Sequence, residues 1–374
     1  MFIGPVDLHK HFIIHESEKM ISKDGLESIK GSIINNLSIL VGCIGWDMGN
    51  IALVNEQCAT NQQINSDFNP YYIYYWLSFK KQFLFQQANV TRTPILNKTD
   101  FSNIEIPIPA KLYQDKIAKV LSDLDAKIEL NNKINVELES MEKLIYDYWF
   151  VQFDFPDENG KPYKSSSGKM TYNEELKREI PEGWEAGTAS DIFKFNPTLS
   201  IKKGVESSYI DMNAIPESGF MTIKLKKKEF GGGMKFQNGD VVVARITPCL
   251  ENGKTGLITL LKEDEITFGS TEFIVIRGKN IDLRSFASCL SRSEIFRTYA
   301  ISKMTGTSGR KHVKSTALES YKIPIPNDAV LLKFETIVSP FFKQTTLNAI
   351  QNQKLSELRD WLLPMLMNGQ VKVK

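Results

Sequence analysis

Residues 116–135 read KIAKVLSDLDAKIELNNKIN, the centre of a stretch from Lys111 to Phe150 that contains neither glycine nor proline. The preceding Ile106-Pro107-Ile108-Pro109 forbids an earlier helix start, because proline lacks the amide proton that a helix interior needs. Apolar residues recur at Ile117, Val120, Leu121, Leu124, Ile128, Ile134, Leu138, Met141, Ile145, Tyr148 and Trp149. That spacing is helical and close to a coiled-coil seam. At ~1.5 Å per residue such a helix is about 60 Å long, more than one small globule can cover. It needs a partner along its stripe.

The same chain supplies one. Tyr321-Lys322-Ile323-Pro324-Ile325-Pro326 repeats the proline-marked strand, Ile106 falling on Ile323, and Leu331 to Met367 repeats the helix. At that same offset Ile117 corresponds to Phe334, Val120 to Ile337, Leu121 to Val338, Leu138 to Leu355 and Ile145 to Leu362. The polar interruptions coincide as well, with Asn131 and Asn135 falling on Asn348 and Asn352. A polar residue in a helical seam costs stability but pins register. The expectation is an antiparallel pair, because a duplicated unit then closes with pseudo-twofold symmetry.

The duplication extends beyond the helices. Gly239 to Arg245 answers Leu37 to Cys43, Ser208 to Met212 answers Met1 to Pro5, and Gly269 to Phe273 answers Ala59 to Gln63. Thr305 to Val313 answers the polar loop around Arg92. Short β-rich runs punctuated by turn residues, such as Ile39 to Ile44 and Ile51 to Val54, read as strands of a hairpin, and Asn69-Pro70 reads as a helix start. The fold class is therefore α/β (α+β): two mixed domains separated by two long antiparallel coiled-coil-like helices. The boundaries are a first domain at 1–110, a spacer helix at 111–150, a polar linker at 151–180, a second domain at 181–326, and a second helix with tail at 327–374. The second domain carries a segment, Pro181 to Ser208, ahead of its Tyr209 strand that has no counterpart in the first. The first copy is N-terminally short by comparison.

Composition narrows the function. The 374 residues are 42% hydrophobic and 24% charged, ordinary for a globular chain, and the formal net charge is only +2. Any nucleic-acid surface must then be local. The four cysteines show no metal-ligand spacing and read as reduced thiols, and no apolar run approaches a membrane span. A soluble, cytoplasmic protein is expected.

Catalytic motifs fail inspection. Gly253-Lys254-Thr255 resembles the end of a phosphate loop, but Pro248 stands where that motif requires glycine. Asn69-Pro70-Tyr71-Tyr72 resembles the adenine-methyltransferase tetrapeptide without its second proline or a glycine-rich cofactor loop. Gly231-Gly232-Gly233 reads as a turn, and His9, His11 and His15 lack the cysteines or carboxylates that would complete a metal site. What remains is recognition equipment. Polar loops pair cations with hydroxyls or amides: Thr91, Arg92 and Thr93; Asn61 and Gln62; Arg245, Thr247 and Lys254; Thr307, Ser308, Arg310 and Lys311. Such groups suit phosphates and base edges. Lys224 and Lys226 to Lys228 form a further basic run, while Tyr148, Trp149, Phe150 and Trp361 crowd the helix ends as candidate partner contacts.

Taken together, Ile106 to Pro109, Lys116 to Asn132, Tyr146 to Pro156, Ile180-Pro181-Glu182-Gly183-Trp184, Arg245 to Pro248 with Glu251 to Lys254, and Gly269 to Phe273 resemble the specificity (S) subunits of type I DNA restriction-modification systems. The resemblance covers nearly the whole chain. It implies two target-recognition domains, each reading half of a split DNA site, and no catalysis by this chain. It also implies methyltransferase (M) subunits carrying S-adenosylmethionine, and through them restriction (R) subunits using ATP and Mg. The chain itself would need no cofactor. Half-sites about 34 Å apart, one turn of duplex, present the same face. The competing readings are a stand-alone DNA adenine methyltransferase and a coiled-coil scaffold that binds no DNA.

Overall fold

A computed structural model describes residues 1–8, 12–29, 33–34, 37–46, 48–60, 68–90, 93–220, 225–262, 264–307 and 309–373. The chain divides into two compact units. One comprises Met1–Asn131 with Gln351–Lys374, the other Asn132–Ile350. Two long helices, Lys111–Tyr146 and Asp328–Met367, each contribute to both units. The first ends in a π-helical turn, Asp147–Val151, so regular α-geometry stops a few residues before the expected Phe150.

Within the first unit the helices run antiparallel. Arg359 pairs with Asp125 at 2.6 Å, and Asn131 donates to Gln351 and Asn352, both at 2.8 Å. Within the second unit Asn348 donates to Asn135 at 2.7 Å. The seam asparagines thus find one another as the shared interruption implies. Asn131 is 1% exposed and Asn348 4%. At such burial an unpartnered amide group costs ~1–3 kcal/mol, which favours the register that pairs the Asn131 and Asn348 donors, although Asn131 Oδ1 has no partner among the described residues.

The first unit is built on a hairpin, β1 (Ser38–Val41) and β2 (Ile51–Val54), with Ile39 opposite Leu53 and Val41 opposite Ile51. Every residue of both strands is buried. One face packs with Tyr72, Ile73, Trp76 and Leu77 of the helix Pro70–Phe79. That helix starts where Asn69-Pro70 said it would, with the Asn69 side chain accepting the Tyr72 amide proton. Ala118 and partly buried Ile117 of the long helix close this core. A smaller hairpin, β3 (Asn89–Val90) and β4 (Pro94–Ile95), follows.

The second unit repeats the plan with more strands. β5 (Val241–Ala244) pairs with β6 (Thr255–Leu257) so that Val241 faces Leu257 and Val243 faces Thr255, a hairpin equivalent to that of β1 and β2. β7 (Phe273–Gly278) adds to the other edge of β5. The hairpin of β8 (Thr305–Thr307) and β9 (Arg310–His312) corresponds to β3 and β4. The core gathers Tyr146, Trp149, Phe150, Trp184, Phe286 and Phe334.

Residues 151–180 are folded rather than merely connecting. Phe153 and Phe155 are buried, and Phe155 stacks on Tyr163 at 4.7 Å and on Trp184 at 5.2 Å. The turn-forming composition around them masked two aromatic anchors whose burial, at ~25 cal/mol per Å², holds the segment to the core.

Candidate nucleic-acid interface

The candidate recognition loops of the second unit come together along one edge. Beyond β5 the chain continues through Arg245, Ile246 and Thr247 and pairs with β9. Thr247 donates its amide proton to the Lys311 carbonyl at 3.0 Å, and Val313 donates to that of Arg245 at 2.9 Å. Ile246 faces His312 between them. Two stretches far apart in sequence thus form one surface, a juxtaposition produced by a backbone ladder.

Within the β8–β9 hairpin Thr305 lies opposite His312, Gly306 opposite Lys311 and Thr307 opposite Arg310. Side chains alternate along a strand, so Thr305, Thr307, Arg310 and His312 share one face and Lys311 projects from the other. Two positions demand glycine. Gly309 turns the chain at φ +81°, and a Cβ on Gly306 would meet the Arg310 carbonyl oxygen at 2.6 Å. Thr307, Arg310 and Lys311 are exposed, and among the described residues neither cation forms an ion pair. A free guanidinium beside a hydroxyl, held on a short hairpin, suits hydrogen bonding to base edges or phosphates.

Arg245 is more constrained, with Nε 3.6 Å from the Glu272 carboxylate; among the described residues that nitrogen and Thr247 Oγ1 are buried without a hydrogen-bond partner. Lys254 is taken up structurally, its ammonium donating to the Met212 carbonyl at 3.1 Å. The basic run on strand Lys226–Glu229 is also engaged. Lys226 pairs with Asp211 at 2.5 Å, holding that carboxyl below its usual range. Lys227 reaches Glu265 at 3.6 Å, and Lys228 lies over the Tyr209 ring. Lys224 lies outside the described residues.

The first unit carries the same edge, matched bond for bond. Gly45 donates to Pro94 and Leu96 to Cys43, both at 2.9 Å, with Ile44 facing Ile95. Cys43, Ile44 and Gly45 therefore occupy the places of Arg245, Ile246 and Thr247. Pro94, Ile95 and Leu96 occupy those of Lys311, His312 and Val313. Thr93 is exposed at this edge, whereas Thr91, Arg92, Asn61 and Gln62 lie outside the described residues, as does Ser308. Sequence reading missed Ile44, Trp46 and Ile95, which are exposed here, because Ile44 read as the end of a strand, Trp46 as part of a turn and Ile95 as part of a polar loop. The offset relating Leu37–Cys43 to Gly239–Arg245 was the signal that could have placed Ile44, and the one relating the two long helices, which carries Ile95 onto His312, the signal for Ile95.

The candidate partner residues separate. Trp149 and Phe150 are core side chains, with rings 5.7 Å from Phe334 and 4.6 Å from Phe286 respectively, and present no face to another molecule. Both lie in the π-helical turn Asp147–Val151 and pack into the core of the second unit. Tyr148 and Trp361 are exposed. Of the histidines, His15 lies between Glu56 at 3.4 Å and Glu129 at 3.1 Å, while His9 and His11 lie outside the described residues. Among the described residues no cluster of His, Cys, Asp or Glu is arranged to hold a metal ion.

This duplicated arrangement has a family. The type I restriction modification DNA specificity domain matches twice, over residues 2–140 and 181–358, and the chain belongs to that family. Over its full length the chain is 25% identical to the type I restriction enzyme MjaIX specificity subunit of Methanocaldococcus jannaschii, covering 87% of that protein. Over 48% of its length it is 32% identical to the EcoAI specificity subunit of Escherichia coli, covering 32% of it. Its fold is similar to that of the type I restriction-modification S subunit from M. genitalium, with a TM-score of 0.55 at 15% identity, over 96% of this chain and 88% of that one.

Proposed function

We propose that this chain is the DNA specificity subunit of a type I restriction-modification complex, each unit reading one half of a bipartite site. The observation that carries this reading is the repeated specificity domain, each copy presenting the same hairpin edge. In the second copy that edge bears exposed Arg310 and Lys311. The chain contributes recognition; M subunits supply S-adenosylmethionine and methyl transfer, and R subunits reached through the complex supply ATP- and Mg-dependent cleavage. Exposed Tyr148 and Trp361 are the partner-contact candidates that remain available. Four free cysteines agree with action on cytoplasmic DNA. Among the described residues no helix is long and apolar enough to cross a membrane.

Arg310 is assigned to a base edge, where a bidentate grip on guanine O6 and N7 contributes ~1–3 kcal/mol of discrimination, and Lys311 to a phosphate. The test is adenine-methylation mapping in cells expressing an M subunit with and without this chain, combined with salt titrations of DNA binding by the complex. One bipartite motif appears only with the chain. Arg310→Ala relaxes one position in one half-site, and Lys311→Ala lowers the salt slope by about one. Saturable binding of S-adenosylmethionine by the isolated chain would instead place the chemistry here, and unchanged motif and affinity in both variants would remove these loops as readers.

A further inference from the structure

We propose that the first unit selects thymine methyl groups through an exposed apolar patch in which Ile44 faces Ile95 and Trp46 follows two residues on, at the places held by Ile246 and His312 in the second unit. This rests on the DNA-recognition reading above and assigns its two halves different chemistry. Ile44, Trp46 and Ile95 are 55%, 72% and 45% exposed. Ile44 faces Ile95 across the edge ladder, as Ile246 faces His312 in the second unit. By alternation Ile95 therefore lies on the face where the other hairpin carries His312 and Arg310. Trp46 is steadied by Phe85, with ring centroids 6.3 Å apart, and keeps most of its indole open.

Exposed edges of this kind ordinarily carry charge, which blunts unwanted strand pairing. Here the described residues 43–46 and 93–96 include no Lys or Arg, and buried Pro94 stands at the place of exposed Lys311. The feature of a base pair that apolar side chains recognise in the major groove is the thymine C5-methyl group. Matched position in a duplicated reading edge selects DNA as the occupant over a second copy of the chain.

The probe is a duplex carrying the mapped site, with each thymine singly replaced by deoxyuridine, which removes only the methyl. The half-site that Arg310→Ala relaxes belongs to the second unit, so the other belongs to the first. In that other half the assembled wild-type complex loses about fourfold in affinity per contacted methyl removed, the equivalent of one buried methylene. Trp46→Ala and Ile95→Ser lose the same factor on the thymine duplex and become indifferent to the replacement, with the Arg310-dependent half unaffected. The proposal is overturned if the wild-type complex ignores deoxyuridine throughout that half, if both variants keep full sensitivity, or if the patch variants instead dissociate a dimer of the free chain. Failure of the wild-type complex to bind the mapped site would refute the DNA-recognition reading itself, before the patch is tested.

Discussion

Glu142 offers a quantitative test of how the second unit is held together. It lies on the first long helix, is 0% exposed, and neither carboxylate oxygen has a hydrogen-bond partner among the described residues. Burial, and after it the neighbouring Glu139 charge, push its pKa from the usual 4.5 to about 9. Cys289 faces the same group, its thiol also pushed up by burial, and Arg292 offsets part of the Glu139 charge. A carboxyl with a raised folded-state pKa binds its proton more tightly folded than unfolded, so stability falls as pH rises. The decline begins near pH 4.5, ends near pH 9, and runs at ~1.4 kcal/mol per pH unit between them. At pH 7 the accumulated cost is about 3 kcal/mol, and at pH 5 it is about 1 kcal/mol. Glu142→Leu removes the titration together with the unsatisfied oxygens. Urea unfolding followed by fluorescence reports on this unit because Trp149 and Trp184 share its core. The variant gains about 3 kcal/mol at pH 7, and the gain shrinks towards pH 5. A gain independent of pH, or a loss at every pH, refutes the assignment of a neutral, unpartnered acid.

Three further outcomes follow from buried polar pairs. In the first unit, Arg359→Met strips buried Asp125 of its ion pair and leaves it the Tyr75 hydroxyl at 2.6 Å. Calorimetry should record a loss of ~3 kcal/mol, the low end for a broken buried pair because the Arg359 head is partly exposed. In the second unit, Asp240 is fully buried and accepts two hydrogen bonds from the Arg277 guanidinium. Asp240→Ala should therefore cost ~3–5 kcal/mol in urea unfolding. Asn135→Leu leaves the Asn348 amide without its acceptor and should cost ~1–3 kcal/mol. The double variant with Asn348→Leu should recover part of that loss, and no recovery would mean the pair does not act as a unit.

The sequence alone determined the organisation. A long run without helix breakers, repeated at a fixed offset with matching asparagines, specified two helices, their antiparallel pairing and their register, because buried amide donors favour the register that gives them acceptors. It also determined the β1–β2 hairpin, the Asn69-capped helix and the correspondence between the β3–β4 and β8–β9 hairpins. These properties reside in local pattern, where period, turn residues and capping groups act over a few positions. Tertiary structure alone decided the fate of individual side chains. Trp149 and Phe150 were claimed by the second unit's own core, packed against Phe334 and Phe286, rather than left for a partner. Phe153 and Phe155 anchored a segment whose composition read as linker. Lys226, Lys227 and Lys254 met acceptors distant in the chain, whereas Arg310 and Lys311 met no carboxylate among the described residues, and Ile44, Trp46 and Ile95 were left in the open. Which cations are free and which apolar groups are covered depends on neighbours brought in by backbone ladders and core packing, and pairings between residues distant in the chain leave no periodic trace in its order.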